Sequence, residues 1–204
     1  MDARIEKTIA ALKENRFGAY YAQNSVEALE IVKGLLKDGE KLSRGGSLTI
    51  QQTGILDYMK CGKYDFKDSY TAKTPEEKEE QLRDRFFCDT FFCSANAVIT
   101  DGRLYNEDGI CTRVAPLLCG PKQVIVVVGK NKLVDSVHEA KKRVMTVAAP
   151  LNTQRLNCDT PCREDGVCHN CKSEGRICCS TVITNFNRVK ERIKVIIVNE
   201  DLGM

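Results

Sequence analysis

Apolar and polar positions along the chain switch repeatedly between the spacing of a helix and that of a strand. Apolar residues at helical spacing among Lys and Glu predict an amphipathic helix over residues 2–15. Residues 17–21 predict a first strand. Apolar positions in residues 26–36 predict a second helix, which ends before Gly39. The chain therefore begins with a helix, a strand and another helix.

The same alternation continues to the last residues. Residues 41–43 predict a short strand, and residues 49–59 predict the helix after it. Residues 123–129 form a continuous β-branched run, which is typical of an interior parallel strand covered on both faces. A helix is predicted over residues 134–147, and a last buried strand over residues 193–198. The pattern predicts an α/β fold, a three-layer α/β/α sandwich with a mainly parallel sheet.

A central stretch, SANAVITDGRLYNEDG at residues 94–109, carries two tight-turn signals around short apolar runs. The pair Asp101-Gly102 predicts a turn between two strands, because Gly accepts a positive φ. Small polar groups lie near the predicted strand ends, among them Asn96, Asn106 and Asp108. Such groups at strand ends form ligand sites in α/β proteins. The alternative interpretation is a hairpin without a ligand.

A second candidate is the turn that follows the predicted strand at residues 41–43. Arg44, Gly45, Gly46, Ser47 and Thr49 combine a guanidinium, flexible backbone and hydroxyls at a predicted helix start. This combination suits an anion, since backbone N–H groups, a helix N-terminus and a cation all favour negative charge. The Gly-Lys-Thr ending of a phosphate-binding Walker loop is missing from this turn. A plain strand-to-helix turn explains the pattern as well.

Composition narrows the class of protein. The 204 residues are 42% hydrophobic and 29% charged, with a net charge of +3. That charge is too small to indicate a nucleic-acid partner. The first residues lack the apolar core of a signal peptide, and no run reaches the roughly 18 apolar residues needed to cross a bilayer. We therefore expect a cytoplasmic protein without a membrane partner.

Cysteine is over-represented, with 11 residues. Six of them fall within a Cys-rich insertion at about residues 158–179 of what we expect to be a single domain over residues 1–204. Four thiolates at Cys162, Cys168, Cys171 and Cys178 are the best candidates for a metal centre, and Cys179 could replace Cys178. The spacing does not distinguish zinc from an iron–sulfur cluster. Reduced free thiols and a redox disulfide remain as alternatives.

Five motifs together resemble the LUD-domain family, whose members are called lactate-utilisation proteins. The motifs are SRGGSLT (43–49), SANAVITDGRLYNEDG (94–109), RVAPLLCGPKQVIVVVGKNKLV (113–134), AAPLNTQRL (148–156) and VIIVNEDLG (195–203). They cover nearly the whole chain in a specific order. The resemblance implies a fold similar to that of ribose-5-phosphate isomerase and CoA-transferases. In such folds the Gly-rich turn and the strand-end loops face one cleft.

The resemblance also implies a role. The family is linked to oxidation of L-lactate to pyruvate alongside iron–sulfur partner proteins. We therefore expect a subunit of such a system that binds a small anionic ligand. No catalytic residue is assigned, although Glu107 and Asp108 are candidates for acid–base chemistry. The alternative is a non-catalytic binding or regulatory module with a structural metal site. The expected ligand-binding residues are Arg44, Gly45, Gly46, Ser47, Thr49, Asn96, Asn106, Asp108, Gly109 and Arg113.

Overall fold

The computed structural model describes residues 2–204, and its larger sheet has six strands that all pair in parallel. In spatial order these strands are β1 (Gly18–Ala22), β10 (Ile193–Val198), β7 (Gln123–Gly129), β4 (Thr90–Cys93), β2 (Lys41–Arg44) and β3 (Asp65–Phe66). The predicted α/β class with a mainly parallel sheet is confirmed. The β-branched run at residues 123–129 is an interior strand, as its composition predicts.

Helices connect these strands, as parallel pairing requires. They are α1 (Ala3–Glu14), α2 (Ser25–Leu35), α3 (Leu48–Gln52), α4 (Ile55–Met59), α5 (Pro75–Asp84), α6 (Val114–Leu118), α7 (Val137–Arg143), α8 (Ala149–Leu156) and α9 (Pro161–Asp165). Two 3₁₀ turns lie at Arg85–Phe87 and Lys130–Lys132, and a π-helical segment lies at Val144–Ala148. Side-chain caps begin several helices; Asn24, for example, accepts a hydrogen bond from the Glu27 backbone N–H.

A second sheet has four strands in the order β8 (Leu133–Val134), β5 (Ala97–Ile99), β6 (Arg103–Asp108) and β9 (Ser180–Thr184). Strands β5 and β6 form the hairpin that Asp101-Gly102 predicts. Gly102 has φ +84°, and a Cβ there would lie 2.5 Å from the backbone of Ala11 in α1. Glycine is therefore required at this turn for both its φ and its size.

Two buried clusters fill the two faces of the large sheet. One face packs against α1, α6 and the smaller sheet, and the other packs against α2, α3 and α4. Strand β7 shows the alternation: Val124, Val126 and Val128 face the first cluster, whereas Ile125 and Val127 face the second. A third cluster joins the outer face of the small sheet to α7 and α8. Both faces are covered, as a sandwich requires.

Some element boundaries differ from those that periodicity predicts. The helix expected over residues 49–59 is two short helices, α3 and α4, separated at Gly54, which has φ +70°. The helix expected over residues 134–147 begins at Val137 and widens into the π-helical segment. The Cys-rich insertion contains one short helix, α9. Glycine accepts the left-handed conformation that separates α3 from α4, and a π segment bonds each residue to the fifth one along; neither has a sequence pattern that distinguishes it from a continuous α-helix.

A search of residues 2–204 for a helix both long and apolar enough to cross a membrane found none.

Candidate functional site

One cleft of about 340 Å³ lies at the carboxyl edge of the large sheet. The segments that follow β2, β3, β4, β7 and β10 all contribute to its lining, and so does the end of β6. Helices α5 and α8 close its sides. Ligands of open α/β sheets bind at this edge, because the loops after parallel strands converge there. The volume falls in the range of small-molecule sites.

Arg113 holds one wall of the cleft together. Its guanidinium donates to the Ser94 carbonyl oxygen at 3.0 Å, to Asn96 Oδ1 at 3.0 Å and to the Glu107 carbonyl oxygen at 2.7 Å. It also donates to Asn106 Oδ1. Its Nε lies 3.5 Å from Asp108 Oδ2. Arg113 therefore joins the segment after β4 to the end of β6, and this network occupies its N–H groups.

The Gly-Gly-Ser turn after β2 contacts protein groups on both sides. A Cβ at Gly45 would lie 2.9 Å from Arg113 Cγ, and one at Gly46 would lie 2.6 Å from Tyr70 Oη. Ser47 caps α3 by accepting from the Ile50 N–H at 3.3 Å. The glycines thus let two side chains approach the backbone closely. Helix α3 has only five residues, so its dipole adds little to anion binding.

Arg44 is committed to a buried ion pair beside the cleft. Its Nε and Nη2 donate to the two Asp68 oxygens at 3.1 and 2.9 Å. Its guanidinium carbon lies 4.5 Å from the centre of the Tyr70 ring, and that of Arg85 lies 5.7 Å from the same centre. Tyr70 and Arg85 line the cleft, whereas Arg44 does not. Arg44 therefore acts here as a support for Tyr70.

Lys132 lies at the base of the cleft and is only 4% exposed. It follows β7, and its Nζ donates to Thr49 Oγ1 and Ser94 Oγ at 3.0 Å each. Burial lowers the pKa of Lys132 to about 7, and the nearby Arg143 and Arg113 add to this shift. Hydroxyl partners compensate for the desolvation of a buried ammonium less than a carboxylate partner would. Lys132 therefore exchanges a proton near neutral pH.

Several polar atoms in this region accept or donate no hydrogen bond within the described residues 2–204. They are Arg85 Nε, Asn106 Nδ2 and Asp108 Oδ2, all buried. Arg85 itself is 1% exposed and donates to the Thr112 carbonyl oxygen and to Ser69 Oγ. Unpartnered buried groups are rare in folded proteins, and water or a ligand usually explains them. Their grouping beside one cleft indicates a binding site.

Comparison with models of protein families identifies the family of this chain. The LUD domain family model matches residues 5–198. The chain belongs to the LUD-domain family. It is in this general sense a lactate-utilisation-type protein. The search of curated proteins found no match for this LUD-domain chain.

One solved structure supports the fold. A DUF162 family protein from Deinococcus radiodurans superposes with a TM-score of 0.57 at 14% identity, covering 96% of each chain. This similarity supports the fold of the LUD-domain chain from end to end. eIF2B delta from Chaetomium thermophilum has a TM-score of 0.37 at 15% identity. That match covers 69% of this chain and 54% of that one, and it is too weak to inform the fold.

The structure brings part of the predicted ligand set into the cleft of this LUD-domain protein. The predicted residues that line the cleft are Gly46, Ser47, Asn96, Asp108, Gly109 and Arg113. Those outside the lining are Arg44, Gly45, Thr49 and Asn106. Thr49 and Asn106 nevertheless contact the lining, through Lys132 and Arg113. The two predicted candidates, the Gly-rich turn and the strand-end loop, thus meet at one place.

The four predicted metal-binding cysteines lie in two places. The Cys162 thiol is buried, with its sulfur 3.5 Å from the Thr153 and Thr160 hydroxyls. Cys168, Cys171 and Cys178 belong to the loop after α9 and are partly exposed. In the described part of the chain, residues 2–204, no three His, Cys, Asp or Glu side chains are arranged to hold a metal ion. The metal centre stays a prediction.

Sequence reasoning missed Lys132, Arg85 and Arg155, which all line the cleft. Lys132 carried a usable signal, because it lies three residues after the β-branched run and directly before Leu133 and Val134. A lysine between a buried strand and another apolar pair has little chance of full exposure. Arg85 follows the charged helix α5 in a 3₁₀ turn, and Arg155 is the one charged residue of α8; nothing in the sequence marks either side chain as facing a cleft.

Proposed function

We propose that this protein is a subunit of a system that oxidises L-lactate to pyruvate, and that its cleft binds a small anion. Family membership supports the first part, because the chain is a LUD-domain protein over residues 5–198. The positive charge of the cleft supports the second part, which is the binding of a small anion. A ligand of this kind would bear a carboxylate or a phosphate.

The cleft presents more cationic than anionic side chains to a ligand. The cationic lining residues are Lys78, Arg85, Arg113, Lys132 and Arg155, and the acidic ones are Glu107 and Asp108. Asp108 is paired with Arg113, which reduces the negative charge that a ligand meets. Cations that line a partly closed cleft raise the local concentration of anions and hold them through charge-assisted hydrogen bonds.

Arg155 offers the best test, because it lies in α8 at the side of the cleft and is exposed. Within the protein it donates to Asn152 Oδ1 in its own helix, so its loss leaves other elements in place. We expect Arg155→Gln to weaken the binding of L-lactate or pyruvate by roughly tenfold, the value of one charge-assisted hydrogen bond. Isothermal titration calorimetry with each compound, and with inorganic phosphate, measures the change.

Lys142→Gln is the matched control, since it removes one positive charge from exposed surface on α7, outside the cleft lining. It should leave the affinity within about twofold of that of the unmodified protein. Equal weakening by both substitutions would mean that only the overall charge attracts the anion. Absence of binding for all three compounds would refute the proposed ligand class.

The Cys-rich insertion is the second part of the proposal, as a four-thiolate centre of zinc or iron and sulfide. Three of the thiols share one loop, in which Arg176 donates to the carbonyl oxygens of Cys171 and Cys178 at 2.6 and 2.8 Å. Thiolates are suitable ligands for both metals. As placed, no three of these side chains within residues 2–204 form a group that could hold a metal, so binding requires the four thiols to move together, with Cys179 as the alternative to Cys178.

Metal analysis of protein purified without oxygen tests this centre. We expect about one centre per chain, and Cys168→Ser should abolish most of the metal content because a tetrahedral site loses one of its four ligands. Cys61→Ser is the control, since this exposed thiol lies far along the chain from the insertion. A visible absorption band that dithionite bleaches would identify iron and sulfide. Metal-free protein, or equal metal in both variants, would refute the centre.

A further inference from the structure

Lys132 is a buried amine at the base of the cleft, and the anion-binding role does not by itself explain it. We propose that Lys132 is a nucleophile that forms an imine with a small carbonyl compound bearing an anionic group. The anionic group is the feature that a 2-oxo carboxylate and a carbonyl phosphate share. This inference rests on the proposed function, because the same cleft must bind the anion.

The position of Lys132 separates it from the ordinary lysines of the chain. It ends the 3₁₀ turn Lys130–Lys132, in which Lys130 is exposed while Lys132 is buried. Its Nζ is held by Thr49 Oγ1 and Ser94 Oγ, which come from α3 and from the segment after β4. Two neutral hydroxyls fix the amine in the cleft without neutralising it in an ion pair. A carboxylate partner would instead stabilise the unreactive ammonium.

The surroundings of the amine leave a substantial fraction of it as the free base at neutral pH. Burial and the neighbouring Arg143 and Arg113 lower the pKa of Lys132 to about 7. The carboxylates of the cleft, Glu107 and Asp108, line it without forming a hydrogen bond to Nζ. An ordinary lysine has on the order of a thousandfold less free amine at pH 7. Desolvated lysines of this kind attack carbonyl groups.

Gly203 packs directly against the amine of Lys132, which itself lines the cleft. A Cβ on Gly203 would lie 2.9 Å from Lys132 Nζ and 2.5 Å from Thr49 Oγ1. Glycine therefore lets the backbone at residue 203 approach the amine closely, and a larger residue there would displace Nζ or the Thr49 hydroxyl. Arg85 and Arg155 lie in the lining of the same cleft. These guanidinium groups would bind the anionic end, and the carbonyl carbon would meet the amine.

The reaction balances without an oxidant or a metal. The nitrogen lone pair of the neutral amine forms a bond to the carbonyl carbon, and the π electrons move to oxygen. That oxygen gains a proton while the nitrogen loses one, which gives a carbinolamine. The hydroxyl then leaves as water with a second proton from nitrogen, and a carbon–nitrogen double bond remains. One amine and one carbonyl therefore yield one imine and one water.

Reduction with borohydride converts such an imine into a stable secondary amine. The full-length chain is treated at pH 7 with borohydride and either pyruvate or glycolaldehyde phosphate, and peptide mass spectrometry locates the adduct. We expect modification of Lys132 in large excess over modification of Lys130, because Lys132 lies in the cleft with a substantial free-amine fraction, whereas Lys130 is exposed outside the cleft lining. Pyruvate alone would identify the carboxylate class, and glycolaldehyde phosphate alone the phosphate class. Either result supports the inference.

Lys132→Met should lose the specific adduct, whereas Lys130→Met should keep it. The comparison of Lys132 with Lys130 within the unmodified protein remains decisive if Lys132→Met does not fold. Calorimetric binding of pyruvate or phosphate without any adduct on Lys132 would overturn the inference and leave the proposed function standing. Equal labelling of Lys130 and Lys132 would overturn it too. Absence of both binding and adduct would overturn both proposals.

Discussion

Arg113→Ala is expected to lower the free energy of unfolding by roughly 3–5 kcal/mol, because it removes the partner of a buried carboxylate and of several oxygens. The Asn96 and Asn106 side chains would each lose an N–H donor, as would two backbone carbonyl groups. Asp108 would lose its cation and is only 9% exposed. Urea denaturation followed by circular dichroism gives the free energy directly.

Arg103→Ala is the matched control in the same strand region. Arg103 pairs with Asp101 at the tip of the β5–β6 hairpin, where both side chains are partly exposed. Ion pairs of this kind contribute about 1 kcal/mol or less. If Arg113→Ala lowered the free energy of unfolding no more than Arg103→Ala does, the network around Arg113 would not account for the attachment of the two sheets at the cleft.

The stability difference between Lys132→Met and the unmodified protein should depend strongly on pH. The pKa of Lys132 is about 7 in the folded protein, against 10.5 for an ordinary lysine. Between these values the unfolded chain binds the proton more strongly, so the stability of the unmodified protein rises with pH. Lys132→Met has no proton to bind at this position. Its relative stability should therefore fall by roughly 3 kcal/mol between pH 6.5 and pH 9.5.

Denaturant unfolding of both proteins across this pH range measures the difference in their free energies of unfolding. Groups that titrate alike in both proteins cancel from this difference. The charged groups around Lys132 are Arg113 and Arg143, with Glu107 and Asp108 elsewhere in the cleft lining. Both proteins retain these four side chains. Lys130→Met is the control, because it removes an exposed amine only two residues from Lys132. A flat difference for Lys132→Met would show that the amine is solvated and has an ordinary pKa.

Local patterns were sufficient to predict much of the fold. The run at residues 123–129 and the Asp101-Gly102 turn each determine their structure within a few residues, by β-branched burial and by positive φ. The meeting of the Gly-rich turn with the strand-end loop followed from family resemblance. The break at Gly54 was missed because an isolated glycine is also tolerated inside a helix, and only the fold gives it φ +70°.

The chemistry of the cleft depends on pairs of residues distant in sequence, so local patterns predict less of it. From the sequence alone, Arg44 is a suitable ligand for an anion, and only the fold shows that it pairs with Asp68 instead. The glycines at residues 45 and 46 fit a phosphate loop, yet in the structure they make room for Arg113 and Tyr70. The lowered pKa of Lys132 arises from burial and from Arg143 and Arg113, which no local motif specifies.

The position of β10 in the large sheet determines when strand β1 can pair during protein synthesis. Strand β1 pairs only with β10 among the strands of residues 2–204, and β10 separates it from β7. A nascent chain thus cannot complete β1 until residues 193–198 have left the ribosome. Contacts between segments so distant in sequence form slowly. During translation the apolar face of α1 and strand β1 would remain partly uncovered, which makes this N-terminal region the natural place for a chaperone to act.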